Sequence, residues 1–291
     1  WIIDGEPSID VWAMDVARFG DYASPQYGTI KSSENYERRF IMTFPNETLP
    51  KGRKQKTTAL YDRFVNQGAV MGDSFGLENV LWFANNKEDA HEEPTIKRSR
   101  SHDYVSREVI NVRENVGLIE VANFSKHEFK GTDARKFLDH VMAGKLPKPG
   151  RISLSPMLSY RGKLCGDLTV ACLDENEFMV FGSGAAQEMH RRWFESHLDK
   201  FDVNYKNRSD EFHGISIAGP NSRKVLEKIV RDDVSNEKFK FRDSKRMFVG
   251  GVPSIINRIS FTGELGYEIY VAPHYQIKLY EELMEAGREF N

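Results

Sequence analysis

Residues 161–173 read RGKLCGDLTVACL, a pattern that predicts a turn running into a β-strand. From Leu164 onward the side chains are small or apolar except those of Asp167 and Thr169. Because side chains alternate between the two faces of a strand, these two polar groups point the same way. Aspartate is uncommon in strands, and a buried carboxylate costs several kcal/mol unless it is paired. Two interpretations stay open: an edge-strand carboxylate in water, or one held in a pocket for electrostatic or acid–base catalysis.

A second polar interruption occurs in residues 261–270, FTGELGYEIY. Gly263 and Gly266 bracket a predicted turn, and the alternation beyond it places Glu268 and Tyr270 on one face of a strand. A carboxylate can accept two parallel N–H donors, which suits it to the amide N–H and amine of a pterin or guanine edge. The alternative is a carboxylate on a solvated sheet face.

Composition excludes several classes of partner. The 291 residues carry 41 basic and 43 acidic side chains, a net charge of -2 that favours neither nucleic acid nor a membrane surface. No apolar run approaches the ~20 residues that a membrane helix needs, so we expect a soluble protein. Cys165 and Cys172 lie seven residues apart in one strand and cannot bridge each other, which indicates a reducing compartment. The histidines and cysteines show no metal-ligand spacing, so no metal site is predicted.

The chain divides at a polar stretch. Residues 85–103 contain almost no apolar side chains and resemble a surface linker. We therefore predict two domains, 1–95 and 96–291. Strand and helix patterns interleave in the second, which predicts an α+β fold and leaves a doubly wound parallel sheet as the alternative. The chain starts without methionine and stops inside a helical pattern, so we expect a piece of a longer polypeptide.

One glycine motif is a candidate nucleotide site. Residues 181–187, FGSGAAQ, stand between a predicted strand and a predicted helix and contain G-x-G. Gln187 occupies the place of the third glycine or alanine of a dinucleotide fingerprint. The motif therefore predicts an ordinary turn.

Longer stretches resemble a known enzyme family. Residues 52–84, GRKQKTTALYDRFVNQGAVMGDSFGLENVLWFA, resemble the central domain of dimethylglycine and sarcosine dehydrogenases. The segments VGLIEVANFSKHEFKG, LSYRGKLCGDLTV, ISIAGPNSRKVL and FTGELGYEIYV resemble the tetrahydrofolate-binding domain that those enzymes share with the glycine-cleavage T protein. The resemblance implies a small central domain followed by a T-protein-like folate-binding domain that is truncated at its C-terminus.

The resemblance also assigns site residues. Asp167, in G-x-L-x-x-D-x-T-V, falls at the family's catalytic aspartate, which orients and electrostatically assists the attacking folate nitrogen. Thr169 falls at a neighbouring polar contact, and Ser183 falls at a folate-lining position. Glu268 falls at the glutamate that binds the pterin ring.

The chain departs from the family pattern at two positions. Phe261, a further folate-binding position, stands where relatives commonly have tyrosine, so a hydroxyl is lost while the ring is expected to keep its packing. Glu120 occupies a position that is usually aspartate. The two carboxylates of the family pattern, Asp167 and Glu268, are both present in this sequence.

The family resemblance implies half of a two-step enzyme. A flavin domain, with FAD, oxidises an N-methyl amine such as dimethylglycine or sarcosine to an iminium, and the folate domain captures the one-carbon unit as 5,10-methylenetetrahydrofolate. This chain lacks that flavin domain, so its own cofactor is tetrahydrofolate. Two alternatives are a stand-alone folate-dependent aminomethyltransferase or demethylase, and a non-catalytic regulatory relative. Bacterial cytoplasm and mitochondrial matrix are both compatible locations.

Overall fold

The computed structural model describes residues 2–3, 9–45 and 47–290. The α-helices in these residues are α1 (Pro25–Glu37), α2 (Tyr61–Asn66), α3 (Ser101–Glu114), α4 (Ala134–Val141), α5 (Gln187–Glu195), α6 (Ser222–Ile229) and α7 (Gln276–Gly287). The strands are β1 (Ala69–Ser74), β2 (Leu77–Phe83), β3 (Gly117–Glu120), β4 (Ser125–Lys130), β5 (Arg151–Leu158), β6 (Leu164–Asp174), β7 (Glu177–Gly182), β8 (Asn204–Asn207), β9 (His213–Ala218), β10 (Ser244–Val249), β11 (Val252–Asn257) and β12 (Gly266–Val271).

The strands form a hairpin, β1-β2, and two five-stranded sheets. We call β10-β11-β12-β9-β3 the Glu268 sheet and β5-β6-β7-β4-β8 the Asp167 sheet. Neighbouring strands within each sheet are antiparallel. The α+β prediction is confirmed, and the parallel alternative is wrong because the chain returns to each sheet in the opposite direction.

The two sheets face each other, and each has helices on its outer side. Helices α6 and α7 pack on the Glu268 sheet, whereas α4 and α5 pack on the Asp167 sheet. Between the sheets lies a third apolar cluster, which we call the seam, formed by Val121, Ile152, Ala171, Met179, Phe181, Ile255 and Tyr270. Phe181 and Tyr270 stack across it with ring centroids 4.5 Å apart. Face-to-face packing therefore buries apolar side chains on both surfaces of each sheet.

Strand alternation explains why β6 and β12 can serve two cores. In β6, Leu168 and Val170 enter the helix side, while Ala171 enters the seam. In β12, Ile269 enters the helix side and Tyr270 the seam. The period-two prediction for both strands is confirmed.

Helix α2 and the β1-β2 hairpin pack against the Glu268 sheet and its helix α7. Phe64 of α2 contacts Phe83 and Tyr280 edge to face, with centroids 5.7 and 5.6 Å apart. Helix α3 covers the hairpin through Trp82 and Tyr104, whose rings are 4.9 Å apart. Aromatic contacts of this kind add to apolar burial and fix the orientation of the hairpin.

Strands β5 and β10 are among those that the sequence analysis does not predict. Strand β5 contains Pro156, a residue that lowers β-propensity, and Pro156 pairs with Asp167 in an edge strand where proline is tolerated. Strand β10 is also an edge strand and leaves Phe248 64% exposed, so its alternation is weak.

No helix among the described residues has both the length and the apolar character required to cross a membrane.

Candidate functional site

Asp167 and Thr169 lie on the seam face of β6. Ala171, two residues further along the same face, belongs to the seam. Asp167 is exposed, and it has no hydrogen-bond or ion-pair partner in the parts of the chain that the structure describes. Thr169 is half-buried and pairs across the sheet with Phe181. The strand thus presents an uncompensated carboxylate beside the seam.

Glu268 lies on the opposing sheet, on the seam face of β12. It is half-buried, and the hydroxyl of Tyr270 donates to its Oε2 at 2.8 Å. Burial raises the pKa of the Glu268 carboxyl above its ordinary value, and the hydrogen bond from Tyr270 opposes that rise. The remaining oxygen, Oε1, accepts no hydrogen bond from the described residues, and a carboxylate oxygen can accept one.

Phe181 and Tyr270 connect the two carboxylate positions. Thr169 is the cross-strand partner of Phe181, Phe181 stacks on Tyr270, and Tyr270 donates to Glu268. The predicted residues Asp167, Thr169 and Glu268 are therefore brought to the same seam from two different sheets.

Asn257 is a polar residue of this site that sequence reasoning missed. It is fully buried and pairs directly with Glu268 across β11 and β12, so both side chains lie on one face. Its Oδ1 accepts a hydrogen bond of 2.7 Å from Ser244, and its Nδ2 has no partner among the described residues. A buried amide N–H without a partner costs stability unless a ligand or water completes it. Only the strand register reveals the pairing, because the two residues are eleven positions apart in sequence.

Ser183 and Phe261 are both exposed in loops. Ser183 is exposed in the turn after β7. Phe261 is 95% exposed in the loop that connects β11 to β12, where Gly263 has φ +82°. The ring therefore lacks the packing expected for it, because almost all of its surface is exposed. Their assignment to folate binding stays a prediction.

The G-x-G motif has a packing role. A Cβ on Gly184 would stand 2.1 Å from the Asn123 backbone oxygen, and one on Gly182 would stand 2.5 Å from Leu168 Cδ2. Both glycines therefore allow close approach of chain segments, which agrees with the predicted ordinary turn.

Glu120 belongs to a separate buried network. Gln276 donates to Glu120 Oε1, and Gln276 Oε1 lies 3.0 Å from His213 Nδ1. Burial raises the pKa of the Glu120 carboxyl. Gln276 Oε1 also accepts from the Ala59 backbone at 3.2 Å, so the network ties the start of α7 to the segment before α2.

Cys165 and Cys172 are both buried and free, as the spacing predicted. Burial raises the pKa of each thiol. Neither therefore has the lowered pKa of a reactive cysteine.

Two facing antiparallel sheets, with helices outside and carboxylates along the seam, define a T-protein-like domain. A crystal structure of the glycine cleavage system aminomethyltransferase T from Bartonella henselae superposes with a TM-score of 0.65 at 21% identity, covering 79% of this chain and 57% of that one. The family model of the GCVT N-terminal domain matches residues 60–291, and that of the FAD dependent oxidoreductase central domain matches residues 4–58. The chain belongs to the GCVT N-terminal domain family. The predicted boundary at residue 95 stays a prediction.

Two curated relatives cover almost the whole chain. Mitochondrial dimethylglycine dehydrogenase of Homo sapiens is 35% identical over 293 residues, which are 99% of this chain and 34% of that protein. Mitochondrial sarcosine dehydrogenase of Homo sapiens is 26% identical over 334 residues, covering 99% of this chain and 36% of that protein. The resemblance to these dehydrogenases is confirmed, and this chain spans about a third of their length.

Proposed function

We propose that this chain is the folate-binding half of a dimethylglycine dehydrogenase-like enzyme that transfers one carbon from an N-methyl amine to tetrahydrofolate. The observation that carries the proposal is the Glu268–Asn257 pair on the seam: a half-buried acceptor lies beside a buried amide N–H that has no partner among the described residues. The match of residues 4–58 to a flavin-enzyme central domain favours this function over a stand-alone aminomethyltransferase or a regulatory relative.

The pair fits the edge of a pterin. That edge carries a ring N–H and an amine beside a carbonyl oxygen, so it needs a carboxylate acceptor next to an N–H donor. Glu268 supplies the acceptor and Asn257 Nδ2 supplies the donor. A charge-assisted pair of hydrogen bonds to a carboxylate is worth more than neutral bonds, particularly where water is excluded. The two residues would therefore hold the ring in one orientation.

Asp167 faces the same seam from the other sheet. Tetrahydrofolate, when bound, supplies the nitrogens that take up the one-carbon unit. Asp167, which has no ion-pair partner in the described ranges, stabilises positive charge near those nitrogens and orients the attacking one. Thr169 supplies a hydroxyl on the same face. FAD and the oxidation of the amine belong to a flavin domain outside this chain.

The names of the relatives support a proposal for the amine and for the compartment. We assign dimethylglycine or sarcosine as the amine, because two dehydrogenases that match 99% of the chain are named for these compounds. The same names favour the mitochondrial matrix, while a bacterial cytoplasm offers the same chemistry.

Calorimetric titration of tetrahydrofolate into the full chain tests the proposal. Micromolar binding corresponds to about -8 kcal/mol, and loss of a charge-assisted contact removes about 1.5–3 kcal/mol. We therefore expect Glu268→Gln to bind at least about tenfold more weakly. Glu227→Gln, on the exposed side of α6, is the matched control and keeps wild-type affinity. A folded wild-type chain that binds no folate would overturn the proposal.

A further inference from the structure

Strand β6 contains a β-bulge just before Asp167. In its register with β5, Gly166 pairs with Met157, and the residue after Met157 pairs with Leu164, which leaves Cys165 as the extra residue. The extra residue of a bulge has no partner in the ladder, and bulges next to active sites set the direction of a neighbouring side chain. The bulge therefore precedes the part of β6 that presents Asp167 to the seam.

His190 of α5 lies against this bulge on the helix side of the sheet, where it is 2% exposed. A Cβ on Gly166 would stand 2.8 Å from His190 Nε2, while the nearest atom of another residue, Leu168 Cγ, would be 3.4 Å away. The Cys165 side chain also belongs to the helix-side cluster. Two consecutive residues thus face the helices, which a regular strand does not allow. The glycine leaves the space that the imidazole fills.

The imidazole also interacts with the backbone of the bulge. Burial lowers the pKa of His190 to about 4, and a hydrogen bond with the Cys165 backbone opposes that fall. This hydrogen bond is loose, because neither ring nitrogen reaches full hydrogen-bond geometry with any residue that the structure describes. The ring thus offers a partner to a backbone segment that the bulge leaves outside the ladder.

The other edge of the ring contacts the end of β7. A Cβ on Gly182 would stand 3.0 Å from His190 Nδ1. Gly166 precedes Asp167, and Gly182 precedes Ser183, so each ring nitrogen contacts a glycine immediately before a predicted site residue. A close-packed ring between β6 and β7, behind the seam, restrains the backbone at both places.

We propose that His190 is a positioning residue for one-carbon transfer: from behind the sheet it holds the bulge of β6 and so fixes the direction of Asp167. This inference rests on the proposed function, because it concerns the task given to Asp167 there. His190 lies on the helix side, so its effect on catalysis passes through the backbone at Gly166. A misplacement of about 1 Å can cost about 10²-fold in rate. A displaced Asp167 should therefore slow the transfer while Glu268 and Asn257 still bind the folate ring.

One-carbon transfer in the complete enzyme, with its flavin domain, tests the positioning role. We expect His190→Ala to lower the transfer rate about tenfold or more and to keep tetrahydrofolate affinity within about twofold of wild type. His190→Gln, which keeps an N–H donor at this position, should recover most of the rate. His127→Ala is the matched control and keeps near wild-type transfer, because His127 is also buried but its Nδ1 lies 2.9 Å from the Tyr205 hydroxyl of β8.

A double-mutant cycle distinguishes positioning from a general loss of stability. In the Asp167→Asn background, His190→Ala should cost less than about twofold further, because the carboxylate that His190 positions is already absent. Equal losses with and without the Asp167 carboxylate, or wild-type transfer in a folded His190→Ala enzyme, would overturn the inference. If His190→Ala does not fold, Gly166→Ala makes the same test, since its Cβ displaces the ring.

Amide hydrogen exchange tests the contact with the bulge in the absence of folate and of the flavin domain. In the 291-residue chain, residues 164–170 should exchange about tenfold faster or more in His190→Ala than in His127→Ala. Equal exchange in the two variants would refute the inference and leave the folate proposal intact. A wild-type chain that binds no tetrahydrofolate would instead refute the proposed function, and with it the catalytic role of the contact.

Discussion

Two carboxylates on facing strands have different surroundings, and the difference suits different tasks. Glu268 is half-buried, accepts from Tyr270 and has a raised pKa, which suits a group that binds a ligand edge. Asp167 is exposed on its strand and has no ion-pair partner within the described ranges, which suits a charge that acts on a reacting centre. Environment, more than residue type, therefore distinguishes the binding and catalytic roles that we propose for these two carboxylates.

At the residue scale, Asp167→Asn should separate the two half-reactions. In the complete enzyme, with its flavin domain, we expect one-carbon transfer to folate to fall about 10²-fold or more, because a preorganised charge is lost. Oxidation of the amine should be unchanged, so formaldehyde should appear in place of 5,10-methylenetetrahydrofolate. The measurement is the ratio of formaldehyde to 5,10-methylenetetrahydrofolate in Asp167→Asn. The control is Asp174→Asn, at the exposed end of the same strand. Wild-type folate product in Asp167→Asn would refute the catalytic role.

At the scale of elements, two turns have conformations that the local sequence pattern does not predict. The turn between β7 and α5 brings Gly184 against the backbone of Asn123, a contact that no local pattern encodes. The hairpin turn with Phe75 accepts strain that an Asn-Gly turn would avoid. Residues of both turns, Phe75 and Gly184, line the same cleft of about 590 Å³.

Gly184→Ala and Gly28→Ala form a matched pair for this scale. The added Cβ at Gly184 meets backbone oxygen at 2.1 Å, so we expect a loss of about 1–3 kcal/mol in the free energy of unfolding. Gly28 lies in α1 with nothing within 4 Å of its Cβ position, and alanine there should stabilise by about 0.5–1 kcal/mol. Denaturant titration of both variants measures the contrast. Equal stability of the two would contradict the packing role of the motif.

At the scale of the whole molecule, packing of helices on the Asp167 sheet buries two histidines. Burial lowers the pKa of His127 to about 3 and that of His190 to about 4. Both are neutral in the folded protein near neutral pH, whereas an unfolded histidine titrates near 6.5. The unfolded state therefore binds more protons below pH 6.5, and stability falls as the pH drops toward 4.

His190→Leu should reduce this acid sensitivity. At pH 8 the variant should lie within about 1.5 kcal/mol of wild type, because a neutral ring is replaced by an apolar group of similar size. Between pH 8 and pH 5, the free energy of unfolding of the variant should rise by about 2 kcal/mol relative to that of wild type. The reason is that the unfolded variant no longer takes up a proton at position 190. Unfolding at the two pH values, beside the exposed control His102→Leu, provides the measurement. The same pH slope in both variants would contradict the linkage.

The sequence by itself determined the period-two strands, the helices that cover them, the α+β class and the family, because these depend on local alternation and on matched motifs. It also identified Asp167 and Glu268 as unusual strand carboxylates. Only the tertiary structure decided which residues meet: Asn257 beside Glu268, Phe181 on Tyr270, and His190 against Gly166. The physical reason is that strand register, sheet packing and the surroundings of a charge arise from contacts between residues distant in sequence.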